Sequence, residues 1–383
     1  MVEGQATRSW LQWLLSAQVS DLNVRNWVLN RRSQVHENLR ASLKKKGGLA
    51  AAVFSPLLEV DSNKASYSEH FEQAKFHTRA HIGETIFRSC IHLARQWIGA
   101  SVHELDLKAG RLRYWKTGNQ NAETILYFHG FGDSMDGIYP FALHLTKHFN
   151  LVVPDLPGFG QSFKRKDLPH NYESYAEWIA EFAEAAALGP VHVVGNSLGG
   201  AFAMMFAQKR PDLVQSLTLI NSAAITDFKN PSIYDEFLAG EIMFQVKTVE
   251  EFDRFWRRVF HRPPVLPPFV KDYLLRNFRE NHEWYGHLIK QMFADIPGKN
   301  HPRYKDLFMN QHMAKIKVPT LIIWGDRDSL FPLSFGQRGH KLLRNSRMVV
   351  LEGVGHAPQV EVPGLVARHL REFIGSLEPA VAS

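Results

Sequence analysis

From residue 101 onward, apolar and polar positions fall into short β-like runs separated by stretches of helical period. Residues 102–107 and 111–115, joined by Lys108-Ala109-Gly110, read as a hairpin. Four compact apolar runs follow, at 124–128, 151–153, 192–194 and 217–220, and the segments between them carry helical periodicity, as over 175–188. Continuous apolar runs alternating with helices are what a parallel sheet covered on both faces requires. The alternation breaks after Ser222. Residues 225–315 are rich in aromatics at helical spacing and are punctuated by Pro263-Pro264 and Pro267-Pro268. Strand-like runs resume at 320–324 and 347–351, and a last helix is expected over 365–374. The fold class is therefore α/β: a mostly parallel sheet flanked by helices and interrupted by a helical insertion.

The first hundred residues are patterned differently. Trp10, Leu11, Trp13, Leu14, Leu15, Val19 and Leu22 form a strongly apolar first helix, and Ile86, Ile91, Leu93, Ala94, Trp97 and Ile98 form another that ends near Gly99. Gly47-Gly48 and Asp61-Ser62-Asn63 look like linker points. Core packing accounts for both stripes; the tryptophan-rich one also suits a helix lying in a membrane interface. The expected division is a helical N-terminal extension over 1–100, a core built from 101–224 and 316–383, and the insertion 225–315. No internal repeat or low-complexity segment is visible.

Charge changes the picture at one end of the chain. Residues 1–100 hold 13 Lys+Arg against 8 Asp+Glu, whereas the remainder holds 32 against 30. The basic excess clusters at Arg31-Arg32 and Lys44-Lys45-Lys46, either as a solvated face or as an attraction for anionic lipid headgroups. The near-neutral remainder argues against a nucleic-acid partner. One cysteine, Cys90, excludes an internal disulfide framework. No apolar run is long enough to span a bilayer, and the N-terminus lacks the ordered parts of a secretory signal. A cytoplasmic protein is expected, with peripheral membrane contact through the extension as the open alternative.

The candidate chemistry centres on Val191-His192-Val193-Val194-Gly195-Asn196-Ser197-Leu198-Gly199-Gly200, followed by the helix-forming Ala201–Ala207 stretch. A strand running into Gly-x-Ser-x-Gly and then a helix places the serine at the apex of a sharp turn, with its hydroxyl pushed into the open. The alternative is an ordinary strand-to-helix turn with Ser197 as N-cap. A serine hydroxyl needs a base to take its proton and a third group to hold that base. Downstream, each just past a strand, stand Trp324-Gly325-Asp326-Arg327-Asp328 and Glu352-Gly353-Val354-Gly355-His356. Strand ends at the carboxyl edge of an open parallel sheet are where such sheets gather their site residues. No dinucleotide fingerprint, phosphate loop or zinc-ligand spacing is visible, so no cofactor and no metal are expected.

Together with Phe128-His129-Gly130-Phe131, Asp155-Leu156-Pro157-Gly158-Phe159-Gly160 and Gly355-His356-x-Pro358-x-x-Glu361-x-Pro363, these motifs resemble the α/β-hydrolase family over residues 101–376. The resemblance implies Ser197 as nucleophile, His356 as base and Asp328, three positions after Gly325, as the acid; Asp326 is then a turn or capping residue. Attack on a carbonyl builds charge on its oxygen, which paired backbone N–H groups stabilise. Leu198 and Phe131 are the expected donors, with His129 and Gly130 shaping the loop, Asp133 within it, and Asp155 structural. His301 and Asp306, spaced H-x4-D, are taken as chance.

The insertion corresponds to the cap of that family. Phe228, Tyr234, Phe237, Phe244, Phe252, Phe255, Trp256 and Phe260 make its first half aromatic, and some of these side chains are candidates to bind substrate. A roof of this kind suits an acyl chain. The run Met313-x-Lys315-Ile316-Lys317-Val318-Pro319-Thr320 into Ile322-Ile323-Trp324-Gly325, with the elbow, resembles membrane-associated monoacylglycerol lipases, but the N-terminal spanning helix of that group is lacking. The resemblance implies a serine hydrolase that cleaves monoacylglycerols or short-to-medium acyl esters through an acyl-enzyme. Serine in place of aspartate argues against a dehalogenase or epoxide hydrolase. A carbon–carbon bond hydrolase of the aromatic ring-cleavage type shares Gly-Asn-Ser-x-Gly-Gly, but tends to carry Trp just after the histidine, where Ala357-Pro358 stands here. A non-catalytic binding module is the reading of a different class.

Overall fold

The structure is a computed structural model and describes residues 64–119, 122–293 and 296–377. The expected tryptophan-rich helix from Trp10 and the linker points at 47–48 and 61–63 lie outside the described residues. By compactness the chain divides into two units, Met1–Phe87 with Val265–Arg276, and Arg88–Pro264 with Asn277–Ser383.

Helix α1 (Lys64–Trp97) leads into eight strands: β1 (Ser101–Leu107), β2 (Gly110–Lys116), β3 (Thr124–Phe128), β4 (Asn150–Pro154), β5 (Val191–Asn196), β6 (Val214–Ile220), β7 (Thr320–Gly325) and β8 (Ser346–Leu351). They form one sheet in the order β1-β2-β4-β3-β5-β6-β7-β8. β1 and β2 are the expected hairpin, β2 pairs antiparallel with β4, and every later pairing is parallel. The intervening helices are α2 (Tyr139–Ala142), α3 (Tyr172–Ala185) and α4 (Leu198–Lys209). α5 (Ile233–Leu238), α6 (Val249–Val259) and α7 (Pro268–Phe293) fall between β6 and β7, where the strand rhythm of the sequence breaks. α8 (Leu333–Leu342), α9 (Pro358–Glu361) and α10 (Pro363–Ile374) complete the chain.

Alternation along each strand sorts side chains to the two faces. On one face Ile125, Tyr127, Leu151, Val153, Val194, Ile220, Leu321 and Ile323 join a buried cluster with Phe141 of α2 and Val366, Leu370 and Phe373 of α10. Ile91, Ala94 and Ile98 pack on the same cluster, so the end of α1 belongs to this unit. Arg95 secures it by donating to Asp136 Oδ1 at 2.6 Å and to the Tyr139 hydroxyl at 2.8 Å. On the other face Phe128 meets Phe206 of α4 edge-on, and Phe202 of α4 stacks on Tyr175 of α3 with ring centroids 4.1 Å apart. Trp324 of β7 lies against Gly336 of α8, where no Cβ would fit.

In the first unit, α1 and the start of α7 approach closely. A side chain at Gly83 would collide with the backbone carbonyl of Phe269. Arg79 pairs with Asp272 at 2.5 Å, Arg276 pairs with Glu84 at 2.5 Å, and Phe87 packs on Tyr273 with centroids 5.4 Å apart.

Trp115 ties the sheet to the chain that leaves β3. It is fully buried, stacks on Tyr139 and donates from Nε1 to the Met135 carbonyl at 2.8 Å. Trp115→Phe keeps one aromatic ring, shortens the buried side chain and leaves that carbonyl without its donor. Denaturant unfolding should show a loss of about 1–3 kcal/mol; an unchanged midpoint and slope would mean the bond contributes nothing.

Candidate active site

The strand order reverses on either side of β3, which pairs with β4 on one flank and β5 on the other. Phe128 lies in register with Gly195, so the chain leaving β3 and the chain leaving β5 emerge side by side at the carboxyl edge. Ser197 stands at the exit of β5 with φ 53° and ψ −121°, a left-handed conformation worth about 1–3 kcal/mol of strain for a residue with a Cβ. The turn closes because Gly195 and Gly199 lack side chains. A Cβ on Gly195 would meet the Gly199 carbonyl, and one on Gly199 would meet the carbonyls of Phe128 and His129. The Ser197 backbone is held by N–H donation to Ile220 O at 3.0 Å and by acceptance from Ala223 N at 2.8 Å. Although Ser197 occupies the N-cap position of α4, its side chain makes no capping bond.

His356 and Asp328 meet, as the sequence order requires. His356 Nδ1 lies 2.8 Å from Asp328 Oδ2, and both side chains are almost wholly shielded from solvent. A carboxylate oxygen accepts, so Nδ1 carries the proton and Nε2 keeps its lone pair. The other Asp328 oxygen accepts from the backbone N–H groups of Leu330 and Phe331 at 2.8 and 3.0 Å. Phe331 also sets its ring edge-on to the His356 imidazole, with centroids 5.2 Å apart. Asp326, the competing carboxylate, accepts instead from Gly353 N at 2.7 Å and supports the loop leading to His356.

Two asparagines were given no role by the sequence reading. Asn221, directly past β6, is fully buried at φ 42°. It donates from Nδ2 to Asp328 Oδ2 at 2.7 Å and accepts from Gly325 N at 3.1 Å, so Asp328 receives four hydrogen bonds and cannot rotate. The available signal was its place at a strand end, together with the tolerance of asparagine for positive φ. Asn196 donates to Ile220 O at 3.0 Å and to His356 O at 3.2 Å, linking the elbow to the histidine loop.

The expected oxyanion loop is built from its histidine. Leu156 N donates to His129 Nε2 at 3.0 Å, which leaves the proton on Nδ1 to be donated to Gly130 O at 2.8 Å. In a trans peptide the C=O and the next N–H point in opposite directions, so fixing Gly130 O also aims the Phe131 N–H. Gly130 lies against Ser197, and a Cβ there would stand 3.4 Å from Ser197 Cβ. Leu198 is the first residue of α4, where the N–H has no intrahelical partner and the helix dipole favours negative charge. Burial holds the His129 pKa down at about 4. Asp133 and Asp155 are pushed up by burial, to about 7 and about 6, although each accepts backbone N–H bonds: Asp133 from Ser134, and Asp155 from Met135 and Gln161.

Of the expected aromatics, Phe244 comes nearest this loop, its ring centroid 4.4 Å from that of Phe131. Phe159, quoted from sequence only as part of its motif, and Tyr285, not singled out at all, complete the surround of Phe131 at 5.1 and 5.3 Å. Phe237 and Phe255 pack against Phe244, and Phe252 and Phe255 against Phe278 of α7. Tyr234 stacks on Phe331 and accepts from Ala224 N at 2.7 Å. Trp256 stacks on Phe252 and meets Phe260 edge-on, whereas Phe228 is 40% exposed beside Tyr304 and Phe308. His301 caps the turn Pro302–Leu307 by accepting from Arg303 N. Among the described residues, no group of three or more His, Cys, Asp or Glu is placed to hold a metal ion.

Residues 123–363 match the model of the alpha/beta hydrolase fold family. Lipase 1 of Psychrobacter immobilis is 30% identical over 279 residues, covering 72% of this chain and 85% of the lipase. The monoacylglycerol lipase ABHD6 of Bos taurus is 27% identical over 259 residues, covering 66% of this chain and 76% of the relative. Among solved structures, a bacterial membrane phospholipase A described as a virulence factor superposes with a TM-score of 0.71 at 30% identity, covering 77% of this chain and 92% of that one. The chain belongs to the α/β-hydrolase family, as a lipase-like carboxylic ester hydrolase.

The buried His129 gives a pH signature. Its folded pKa, about 4, lies below the unfolded value of about 6.5, so the unfolded chain binds the extra proton and stability is lost as pH falls through that window. Native chain and His129→Asn should therefore differ in stability by an amount that changes by up to about 3 kcal/mol between pH 6.5 and 4. Parallel curves in urea titrations at several pH values would refute the assignment of a neutral, buried His129.

Proposed function

We propose that the protein cleaves esters of lipid-like substrates, monoacylglycerols or short-to-medium acyl esters, through an acyl-enzyme on Ser197. The observation that carries this reading is the His356 Nδ1 to Asp328 Oδ2 bond of 2.8 Å, with the His356 carbonyl tied to Asn196, the residue before a serine held in elbow geometry at φ 53°. In this mechanism His356 Nε2 takes the Ser197 proton as Oγ attacks the ester carbonyl, and Asp328 stabilises the resulting imidazolium. The Phe131 and Leu198 N–H groups hold the oxyanion; collapse of the intermediate expels the alcohol, protonated by His356. Water, deprotonated by the same imidazole, then releases the acid.

The insertion is proposed to act as the cap over this site. The Phe131–Phe244 contact and the buried Phe252 and Phe255 support an apolar wall beside the acyl carbonyl. Contact with a lipid surface is supported by Leu93 and Trp97, one turn apart on α1 and 62% and 72% exposed. Among the described residues, no helix is long and apolar enough to cross a membrane.

Ser197→Ala should abolish labelling by a fluorophosphonate and lower ester turnover by at least about a thousandfold, and Asp328→Asn should lower kcat by about 10³–10⁴-fold. Equal labelling of native chain and Ser197→Ala would remove the nucleophile assignment. A panel of acyl esters of graded chain length, run beside a ring-cleavage dienoate, tests the substrate class: preferential turnover of the dienoate would replace the ester reading. Vesicle flotation with anionic lipid tests membrane contact. Leu93→Ser/Trp97→Ser should float several-fold less than the native chain, and equal flotation would sink the role of that helix face.

A further inference from the structure

We propose that Glu361 is a positioning residue that clamps the chain leaving helix α6 onto the loop carrying His356, so that the insertion itself sets where the base stands. The inference rests on the reading of His356 as base. Glu361 ends the short helix α9, five residues past the histidine. Its carboxylate joins two stretches that are distant in sequence. Oε1 accepts from Gly355 N at 2.8 Å, in the histidine loop, and from His261 N at 3.3 Å; Oε2 accepts from Arg262 N at 2.9 Å. The same two stretches are also joined directly, since His356 N donates to Val259 O at 2.9 Å. They touch with no slack: a Cβ on Gly355 would stand 2.5 Å from His261 N, 2.7 Å from Glu361 Oε1 and 3.0 Å from Val259 O.

Both ends of the His356 backbone are thus fixed from outside its own loop. Its N–H is taken by the insertion, and its carbonyl by Asn196, the residue before Ser197. The loop of Asp328 is fastened to the same segment, because Ser329 Oγ donates to Arg258 O at 2.8 Å. Arg258 is in turn paired in the insertion with Glu236, at 2.6 and 2.7 Å. A carboxylate suits the junction because it accepts at both oxygens, and the donors it meets are backbone N–H groups with no partner in a helix or strand. An amide at this position offers one acceptor oxygen and turns an N–H₂ toward a donor. The imidazole at the end of this chain of contacts must be held to a fraction of an ångström, since misplacement by about 1 Å costs on the order of 10²-fold in rate.

Glu361→Gln tests the clamp, with Glu372→Gln, on the solvent-facing side of α10, as control. Turnover of a water-soluble ester such as p-nitrophenyl butyrate should lose about 10- to 100-fold in kcat, with KM within about twofold. Fluorophosphonate labelling of Ser197 should slow in parallel. The downfield proton resonance of the His356 Nδ1–H, assigned by its loss in His356→Ala, should move or broaden in Glu361→Gln and not in the control. Full kcat with an unmoved resonance, or a lowered Tm with kcat unchanged, would overturn the proposal. If Glu361→Gln does not fold, hydrogen exchange of the native chain decides: Gly355, His356 and Arg262 amides opening together support the clamp, and fast or independent exchange overturns it. A native chain that neither labels nor turns over ester would count against the nucleophile reading instead, while the resonance and exchange measurements, which need no turnover, still judge the clamp.

Discussion

The arrangement at the carboxyl edge of the sheet depends on one close approach of two backbones. Gly199, in the first turn of α4, lies against the carbonyls of Phe128 and His129 at the end of β3, with no room for a methyl group between them. That contact fixes how far Ser197 stands from the His129-Gly130-Phe131 loop, and it exists because β3 and β5 are adjacent and in register at Phe128 and Gly195. Ser197 takes up a left-handed conformation as a result. The strain is held by backbone bonds to Ile220 and Ala223 and by the packing of α4 on the sheet.

Around that contact, polar groups are fixed by partners from several elements. Asp328 is gripped by Asn221, Leu330, Phe331 and His356, and His129 is wedged between Leu156 N and Gly130 O. Low-dielectric surroundings make such bonds strong and their loss costly. The aromatic layer adds its own constraint. The Phe131 ring sits among Phe159, Phe244 and Tyr285, so the residue proposed to supply an oxyanion donor is packed from both the sheet side and the insertion.

Much of this was legible in the chain because the signals were local. Compact apolar runs marked the strands, the glycines at 195 and 199 marked a turn that excludes Cβ atoms, and His356 and Asp328 each followed a strand end at an expected spacing. Pairing of distant segments was not legible. Nothing in the spacing of Asn221 announces that its amide would reach a carboxylate 107 positions later, and Tyr285 reaches Phe131 only because α7 folds back beside the β3 exit. The aromatic count over 228–260 indicated an apolar layer but could not sort its members. Phe244 faces Phe131, Trp256 packs within the insertion, and Phe228 stands half in solvent, a sorting made by helix orientation.

The bonds from residues 258–262 to the loops of Asp328 and His356 also bear on how this chain can be divided. An insertion between two strands is commonly treated as a module, exchangeable at its ends to alter what an enzyme accepts. Here the natural cut points after β6 and before β7 enclose a peptide that is part of the wall around the histidine. A graft that replaced the whole insertion would remove that wall along with the aromatic layer. The largest exchangeable piece must leave 258–262 in place, which makes the insertion two segments of different standing: one free to vary with the ligand and one bound to the core.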